Sequence, residues 1–382
     1  MPDMVATIAI MTLLAGMAAI AWSAEDKTGA VPGMGQTWVE INGQVYGAKP
    51  DERGPIGGGE GYTRIITDGD FRVRTVDELR DALAKATPGQ VVFVEPDADM
   101  DCTTLVYAEQ LVLEVPEGVT LAGDRGHNRS PGAMIYSDTF ATQPLIRALG
   151  PNVRITGLRI RGPDPEERAD HWSRAFVGSA GKPPLRHRYY FKFPTSEGIT
   201  TEYPSLEVDN CELSAWSHSA IYLLRGTDQR IHHNYIHHVR YKGLGYAVCV
   251  GSGTALITHN VFDYNLHSIA GTGCPSVGYE ACNNVDLQHI TSNSYDMHPG
   301  NRRSGGMAVA GDWVKIHHNT FGSTKAPAIG INGAPAQSAT VERNWFHHAA
   351  PGRSVVSPWP PGGETHLECR DNAYGQTAPK VE

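Results

Sequence analysis

Seven asparagines recur at near-constant spacing through the second half of this 382-residue chain: Asn210, Asn234, Asn260, Asn284, Asn319, Asn344 and Asn372. The intervals are 24, 26, 24, 35, 25 and 28 residues. Five are near-uniform, and the long one marks an insertion of about ten residues on one face of the repeat. The flanks recur as well. Three residues before the asparagine stand Ile231, Ile257, Ala281, Ile316, Val341 and Cys369, and two after it stand Ile236, Phe262, Phe321, Phe346 and Tyr374. Asp286 breaks the second column, and the Asn210 unit fits only with a one-residue slip. Small or apolar residues before a turn and larger apolar ones after it describe inward columns of a stacked coil. A period of roughly 25 residues built from short β-rich segments matches one turn of a parallel β-helix. Asparagine suits the bend because it tolerates left-handed φ and bonds its own backbone. On stacked coils such asparagines also bond side chain to side chain.

The rest of the chain frames this repeat. Val5 to Trp22 is an uncharged, largely apolar run, with Ala19-Ile20-Ala21 and Ala21-Trp22-Ser23 as A-x-A and A-x-S cleavage sites. Residues 1–23 are therefore expected to be an export signal, although no Lys or Arg precedes the run. An uncleaved anchor is the rival reading, since 18 such residues just span a bilayer. Both place the remainder outside the cytoplasm, secreted or periplasmic, with no membrane insertion once the signal is removed. Residues 24–70, rich in Gly, Pro and charge, read as an extended lead-in that packs late or stays loose. In "TVDELRDALAKATPG", Thr75 is an N-cap with Glu78 at the capping-box position, Leu79, Ala82 and Leu83 share a face, and Pro88-Gly89 ends the helix. "QVVFVEPD" is a strand, and "QLVLEVPEGVTLAGDRG" two strands joined by a Pro-Glu-Gly turn. Cys102, Cys211, Cys249, Cys274, Cys282 and Cys369 permit disulfides in an exported chain, and none forms a C-x-x-C.

The segment "TVDELRDALAKATPGQVVFVEPD", then "VPEGVTLAGDRG" and an asparagine-centred repeat, resembles the pectate-lyase-like right-handed β-helix superfamily. The likeness spans roughly residues 70 to 375. It implies a capping helix, three parallel sheets and an elongated groove that binds polysaccharide. The W-I-D-H and Arg-x-Pro-x-x-Arg segments of the pectate lyases proper are missing, so no catalytic or calcium residue carries over. The expected organisation is a single all-β right-handed parallel β-helix over residues 71–376, with insertions near 161–205 and 287–312, acting as a monomer.

The net charge of −9 argues against nucleic acid as partner. It leaves room for an acidic polysaccharide or oligosaccharide held by a local basic cleft. His232-His233, repeated at His317-His318, are expected to be turn-flanking polar residues. The segment after His237-His238 differs, bringing Arg240, Tyr241, Lys242 and Tyr246. The next coils add His267, Tyr279 and Glu280, then Tyr295, Asp296, His298, Arg302 and Arg303 in the long interval, where they are expected to project from a loop. Asp296 and His298, two apart, share a face if extended. The 161–205 insertion contributes His187, Arg188, Tyr189, Tyr190 and Lys192, a basic and aromatic set suited to sugar rings and carboxylates. No spacing fixes metal ligands. A cofactor stays open, with Ca2+ as the cation to consider.

This set suits β-elimination on a uronic-acid polymer. Arg240, Lys242 or Arg302 would neutralise the C6 carboxylate. His267 or His298, helped by Asp296, would take the C5 proton. Tyr246, Tyr279 or Tyr295 would protonate the leaving oxygen. Tyr241, Arg303, His187, Arg188 and Tyr190 complete the expected substrate contacts. The second reading is a glycoside hydrolase, for which Asp263, Glu280 and Asp296 are the candidate acids and a separation of about 5–9.5 Å is required. A C5 epimerase would reuse the elimination machinery. The third reading is a non-enzymatic glycan-binding envelope protein.

Overall fold

The computed structural model describes residues 31–176, 190–300, 309–358 and 366–377. The proposed signal, His187, Arg188, Arg302 and Arg303 lie outside the described residues. The chain forms a right-handed parallel β-helix whose described coils contribute to three parallel sheets of eleven, ten and nine strands. The first sheet runs from Phe71–Val73 to Leu367–Arg370, the second from Asp99–Asp101 to Ala373–Tyr374, and the third from Leu113–Val115 to Val356–Pro358. The two strands flanking the Pro-Glu-Gly turn, Leu113–Val115 and Thr120–Ala122, fall in different sheets. That turn is a corner of the coil. The entry helix Val76–Lys85 has both halves of the capping box on Thr75 and Glu78 and buries Leu79, Ala82 and Leu83.

Strand register stacks both predicted columns. Ile231, Ile257, Ala281, Ile316, Val341 and Cys369 pair in sequence across the first sheet, and Ile236, Phe262, Asp286, Phe321, Phe346 and Tyr374 across the second. Asp286 thus points into the core, among Ser268, Ser294 and Tyr295. Between the two sheets runs a ladder of asparagine amides. Asn234 donates to Asn260, Asn260 to Asn284, Asn284 to Asn319, Asn319 to Asn344 and Asn344 to Asn372, each at 3.0 Å. The reason for asparagine differs from the expected one. The left-handed position is the residue before it: His233, His259, Asn283, His318, Arg343 and Asp371, at φ between 47° and 55°. Asparagine serves at the next position because its amide bonds up and down the stack. The one-residue slip at Asn210 follows: Asn210 occupies the left-handed column at φ 54°, and Cys211 stands in the ladder, where its N–H donates to Asn234.

The lead-in is a strap seated on this corner. Its described part makes a hairpin, Trp38–Ile41 with Gln44–Gly47, and then descends the coils in reverse order. Gly47 N–H donates to Arg343 O, Gly57 N–H to His259 O and Gly59 N–H to Asn210 Oδ1. Tyr62 ends it by donating to Asp209 at 2.8 Å. The left-handed corners leave backbone carbonyls and side-chain oxygens facing out, and the strap supplies the donors they need. All six cysteines are free thiols, so the disulfides that six cysteines permit are not formed. Burial of inward columns from every coil holds the solenoid together.

Candidate active site

Three of the four His-His pairs, at 232–233, 237–238 and 317–318, share one motif. In each, Nε2 of the first histidine meets a glutamate of an earlier coil: Glu207 for His232 at 3.0 Å, Glu212 for His237 at 3.2 Å, Glu280 for His317 at 2.9 Å. Its Nδ1 then meets Nδ1 of the second histidine, at 3.1, 2.7 and 2.9 Å. Each such contact requires one proton between two nitrogens. The second histidine has left-handed φ in all three, at 54°, 56° and 54°. His237-His238 is therefore corner architecture as much as His232-His233 is.

The chemistry-bearing residues separate into two places. Tyr246, His267, Asp296 and His298 converge on the outer face of the third sheet. Tyr246 begins the strand Tyr246–Val250 and pairs in register with His267, which begins His267–Gly271. Asp296 sits on the next strand, Tyr295–Met297. This segment is regular sheet, not the projecting loop expected of the long interval, so Asp296 has a fixed backbone. Its carboxylate receives Asn293 Nδ2 at 2.6 Å and Asn332 Nδ2 at 2.9 Å on Oδ1, and meets His298 Nδ1 at 2.9 Å on Oδ2. Gly330 lies directly opposite, and a Cβ there would come within 2.6 Å of Asp296 Oδ1. The missing side chain is the room this carboxylate occupies.

The rings pack around Tyr246. His267 stacks on it at 5.7 Å and 16°, and His298 meets it edge-on at 5.7 Å and 79°. His267 uses Nδ1 to donate to the Asn293 carbonyl at 2.7 Å, which leaves its Nε2 with a lone pair. Burial holds His267 below the ordinary imidazole range, so it is neutral. For His298 burial acts the same way, but the Asp296 carboxylate outweighs it and raises the imidazole. The same pairing overcomes burial to hold Asp296 below the usual carboxylate range. Burial raises the Tyr246 phenol, so it carries its proton at neutral pH. His298 Nε2 is buried with no hydrogen-bond partner among the described residues. The face thus holds a neutral imidazole, an imidazole whose proton a carboxylate holds more tightly than usual, and a phenol.

The remaining expected residues lie elsewhere. Arg240 and Lys242 meet Glu167 at 3.3 and 3.8 Å, because the 161–205 insertion folds back over their loop. Tyr241 and Tyr190 are fully buried in an aromatic cluster with Ala175 and Trp172, so their rings secure that insertion and offer no face to a substrate. Tyr279 and Tyr295 point inward and are fully buried in the core. They occupy alternate positions whose neighbours face outward, and the sequence alone could not give the parity. The three hydrolase candidates occupy three different sheets: Glu280 the first, Asp263 the second, Asp296 the third.

Three residues on this face, His218, Glu197 and Tyr222, escaped the sequence reading. His218 meets Tyr246 edge-on at 5.6 Å, on the side opposite His298, and lies 3.4 Å from Glu197. Tyr222 packs on His218 at 5.2 Å. Their only signal was the strand before Tyr246, whose register places Ser219 beside it.

Among the described residues, three groups hold metal-ligating atoms within 4.8 Å of one another: Asp51 with His233 and His259, Glu280 with Cys282 and His317, and Glu207 with Asp209 and His232. Each contains a nitrogen or sulfur donor and differs from the oxygen set Ca2+ takes. Each carboxylate in them that meets Arg53, Arg64, Arg154 or Lys315 already has a cationic partner. No described helix is long and apolar enough to cross a membrane.

No protein-family model matches this chain, and no curated protein matches it in sequence. Among solved structures it is similar to the crystal structure of alginate lyase from Paenibacillus sp. str. FPU-7, with a TM-score of 0.52 and 14% identity over 81% of this chain and 96% of that one. It is also similar to the family 28 exopolygalacturonase of Yersinia enterocolitica, with a TM-score of 0.48 and 12% identity over 78% of this chain and 62% of that one. The chain thus spans less than two thirds of the length of the second protein. At 14% identity the first likeness is one of fold, and the superfamily resemblance in the sequence holds at that level.

Proposed function

We propose that this protein is an exported enzyme that cleaves a uronic-acid-containing polysaccharide by β-elimination. The observation that carries the reading is the Tyr246 phenol flanked by His267 and by the Asp296-held His298 on one rigid sheet face. In this reading His267 Nε2 takes the C5 proton, and the electron pair forms the C4=C5 double bond. The C4–O bond breaks, and the leaving oxygen takes the Tyr246 proton. The His298 imidazolium pairs with the C6 carboxylate and stabilises the charge that develops there. Asp296 is a positioning residue that keeps His298 charged. The similar alginate lyase fold is compatible with this chemistry and does not select it. The lyase reading is favoured over hydrolysis because the three candidate acids belong to three different sheets and do not share one face, whereas hydrolysis needs a pair flanking one bond.

The test is incubation with a panel of uronic-acid polysaccharides, following ultraviolet absorbance of the unsaturated product together with new reducing ends. Both should rise in step. His267→Ala and Tyr246→Phe should each lower turnover by about 10²-fold or more. Reducing ends without unsaturated product would establish hydrolysis instead. No change on any polymer would favour an epimerase or a glycan binder, and a chelator added to the same assay tests for a required cation.

A further inference from the structure

The active face carries a second carboxylate–imidazole pair, and the proposed elimination does not use it. Tyr246 has an imidazole edge on each side, His298 at 79° and His218 at 84°. Behind His298 stands Asp296, and behind His218 stands Glu197 at 3.4 Å. The two ends are electrically unlike. Burial depresses His218 to about 4, so it is a neutral imidazole, and Ser219 Oγ engages its Nδ1 at 3.1 Å. Glu197 therefore has no ion pair of the kind Asp296 makes with His298. Burial raises its carboxyl above the ordinary range, and Arg147 on the neighbouring strand, which meets Glu114 at 3.3 Å, acts on it through space in the opposite direction. Beside this pair, Tyr222 is half-buried and tilts against His218, giving a ring surface next to hydrogen-bonding groups.

Glu197 and Tyr246 occupy the same register row, two strand steps apart through Ser219. Two steps amount to about 10 Å, which places Glu197 past the reacting sugar and beside the next one. We infer that the cleft has a second subsite at Glu197, His218 and Tyr222, and that it takes a neutral, hydroxyl-rich sugar. A carboxylate there accepts hydrogen bonds from sugar hydroxyls and repels another carboxylate. The preferred polymer therefore has a neutral sugar next to the cleaved uronate and is not a homopolymer of uronic acid. A built-in repulsion of this kind sets specificity by penalising the wrong partner. The inference rests on the proposed elimination at Tyr246 and His267 and adds the identity of the neighbouring unit.

The experiment compares wild type and Glu197→Gln on two homopolyuronates, polymannuronate and polygalacturonate, and on two alternating polymers of a uronate and a neutral N-acetylhexosamine, hyaluronan and unsulfated chondroitin. Thermal melts check that the variant is folded. Wild type should show its highest kcat/KM on an alternating polymer. Glu197→Gln should improve kcat/KM on the better homopolyuronate by about tenfold, mainly through KM, by removing one like-charge contact. Wild-type preference for a homopolyuronate, or a preference unchanged in the variant, would overturn the subsite while leaving the elimination reading standing. No unsaturated product from any of the four would remove the elimination reading and the subsite with it.

Discussion

Single side chains in this protein are tuned by what surrounds them, and two carboxylates show opposite outcomes. Asp296 has three hydrogen-bond partners and stays ionised; Asp286 faces the core and burial pushes it up to about 7. A raised acid in the folded state binds its proton more tightly than in the unfolded chain. Its contribution to stability is fully present below the ordinary carboxylate pKa and is lost as pH rises through about 7. The loss is on the order of 4 kcal/mol for three units of pKa. Asp286→Asn keeps an oxygen to accept from Ser268 and cannot ionise. Chemical denaturation between pH 5 and 8 should show wild type losing stability and the variant holding level; parallel curves would mean Asp286 does not titrate in this range. Asp296→Asn tests the other carboxylate. His298 must carry a proton and His267 must not, so kcat/KM should rise at a pH below the ordinary imidazole range and fall above it. Removing the Asp296 charge should shift the falling limb to lower pH, and the rising limb in the same direction, because the carboxylate raises His267 as well as His298.

At the scale of elements, the corner between the first and second sheets is tied from coil to coil by the asparagine ladder. Each interior asparagine of the ladder both gives and receives. Asn284 donates to Ile257 O at 2.9 Å and to Asn319 Oδ1 at 3.0 Å, and accepts two bonds from Asn260. Asn284→Ala would leave buried donors on Asn260 without an acceptor, at a cost of about 3 kcal/mol. Asn372, partly exposed at the end of the ladder, should cost about 1 kcal/mol on the same change, because water reaches its neighbours. Equal losses at both positions in urea denaturation would show that stacking order, not buried hydrogen bonding, sets the value. The strap belongs to this corner too. Asp51 meets His233 at 3.2 Å, clipping the lead-in to a coil far along the sequence, and pairs with its own neighbour Arg53 at 2.7 Å. Of the two expectations for the lead-in, packing or looseness, its described part takes the first for a physical reason. Its Gly-rich composition lets the backbone approach the corner closely: a Cβ at Gly58 would come within 2.4 Å of the His233 carbonyl.

For the whole molecule, stability comes from repetition of one packed coil, with no covalent cross-link. Addition of a thiol reductant should leave the melting temperature unchanged, since all six cysteines are free. A fall of several degrees would reveal a disulfide. The repeat, the inward columns, the capped entry helix and the pairing of Asp296 with His298 could all be read from the chain. They depend on local preference, on period and on i,i+2 geometry, which any reader of one strand possesses. Which aromatic rings face out depends on parity at each corner, and that decided against Tyr279 and Tyr295. Which cation meets which acid depends on insertions folding back, and that gave Arg240 and Lys242 to Glu167. Which residues of earlier coils join the site depends on register between strands, and that brought His218 and Glu197 to Tyr246. The sequence by itself determined the coil, because each turn repeats its own short-range rules. Only the tertiary structure decided the site, because its contacts join residues that share no turn and meet only once the coils are stacked.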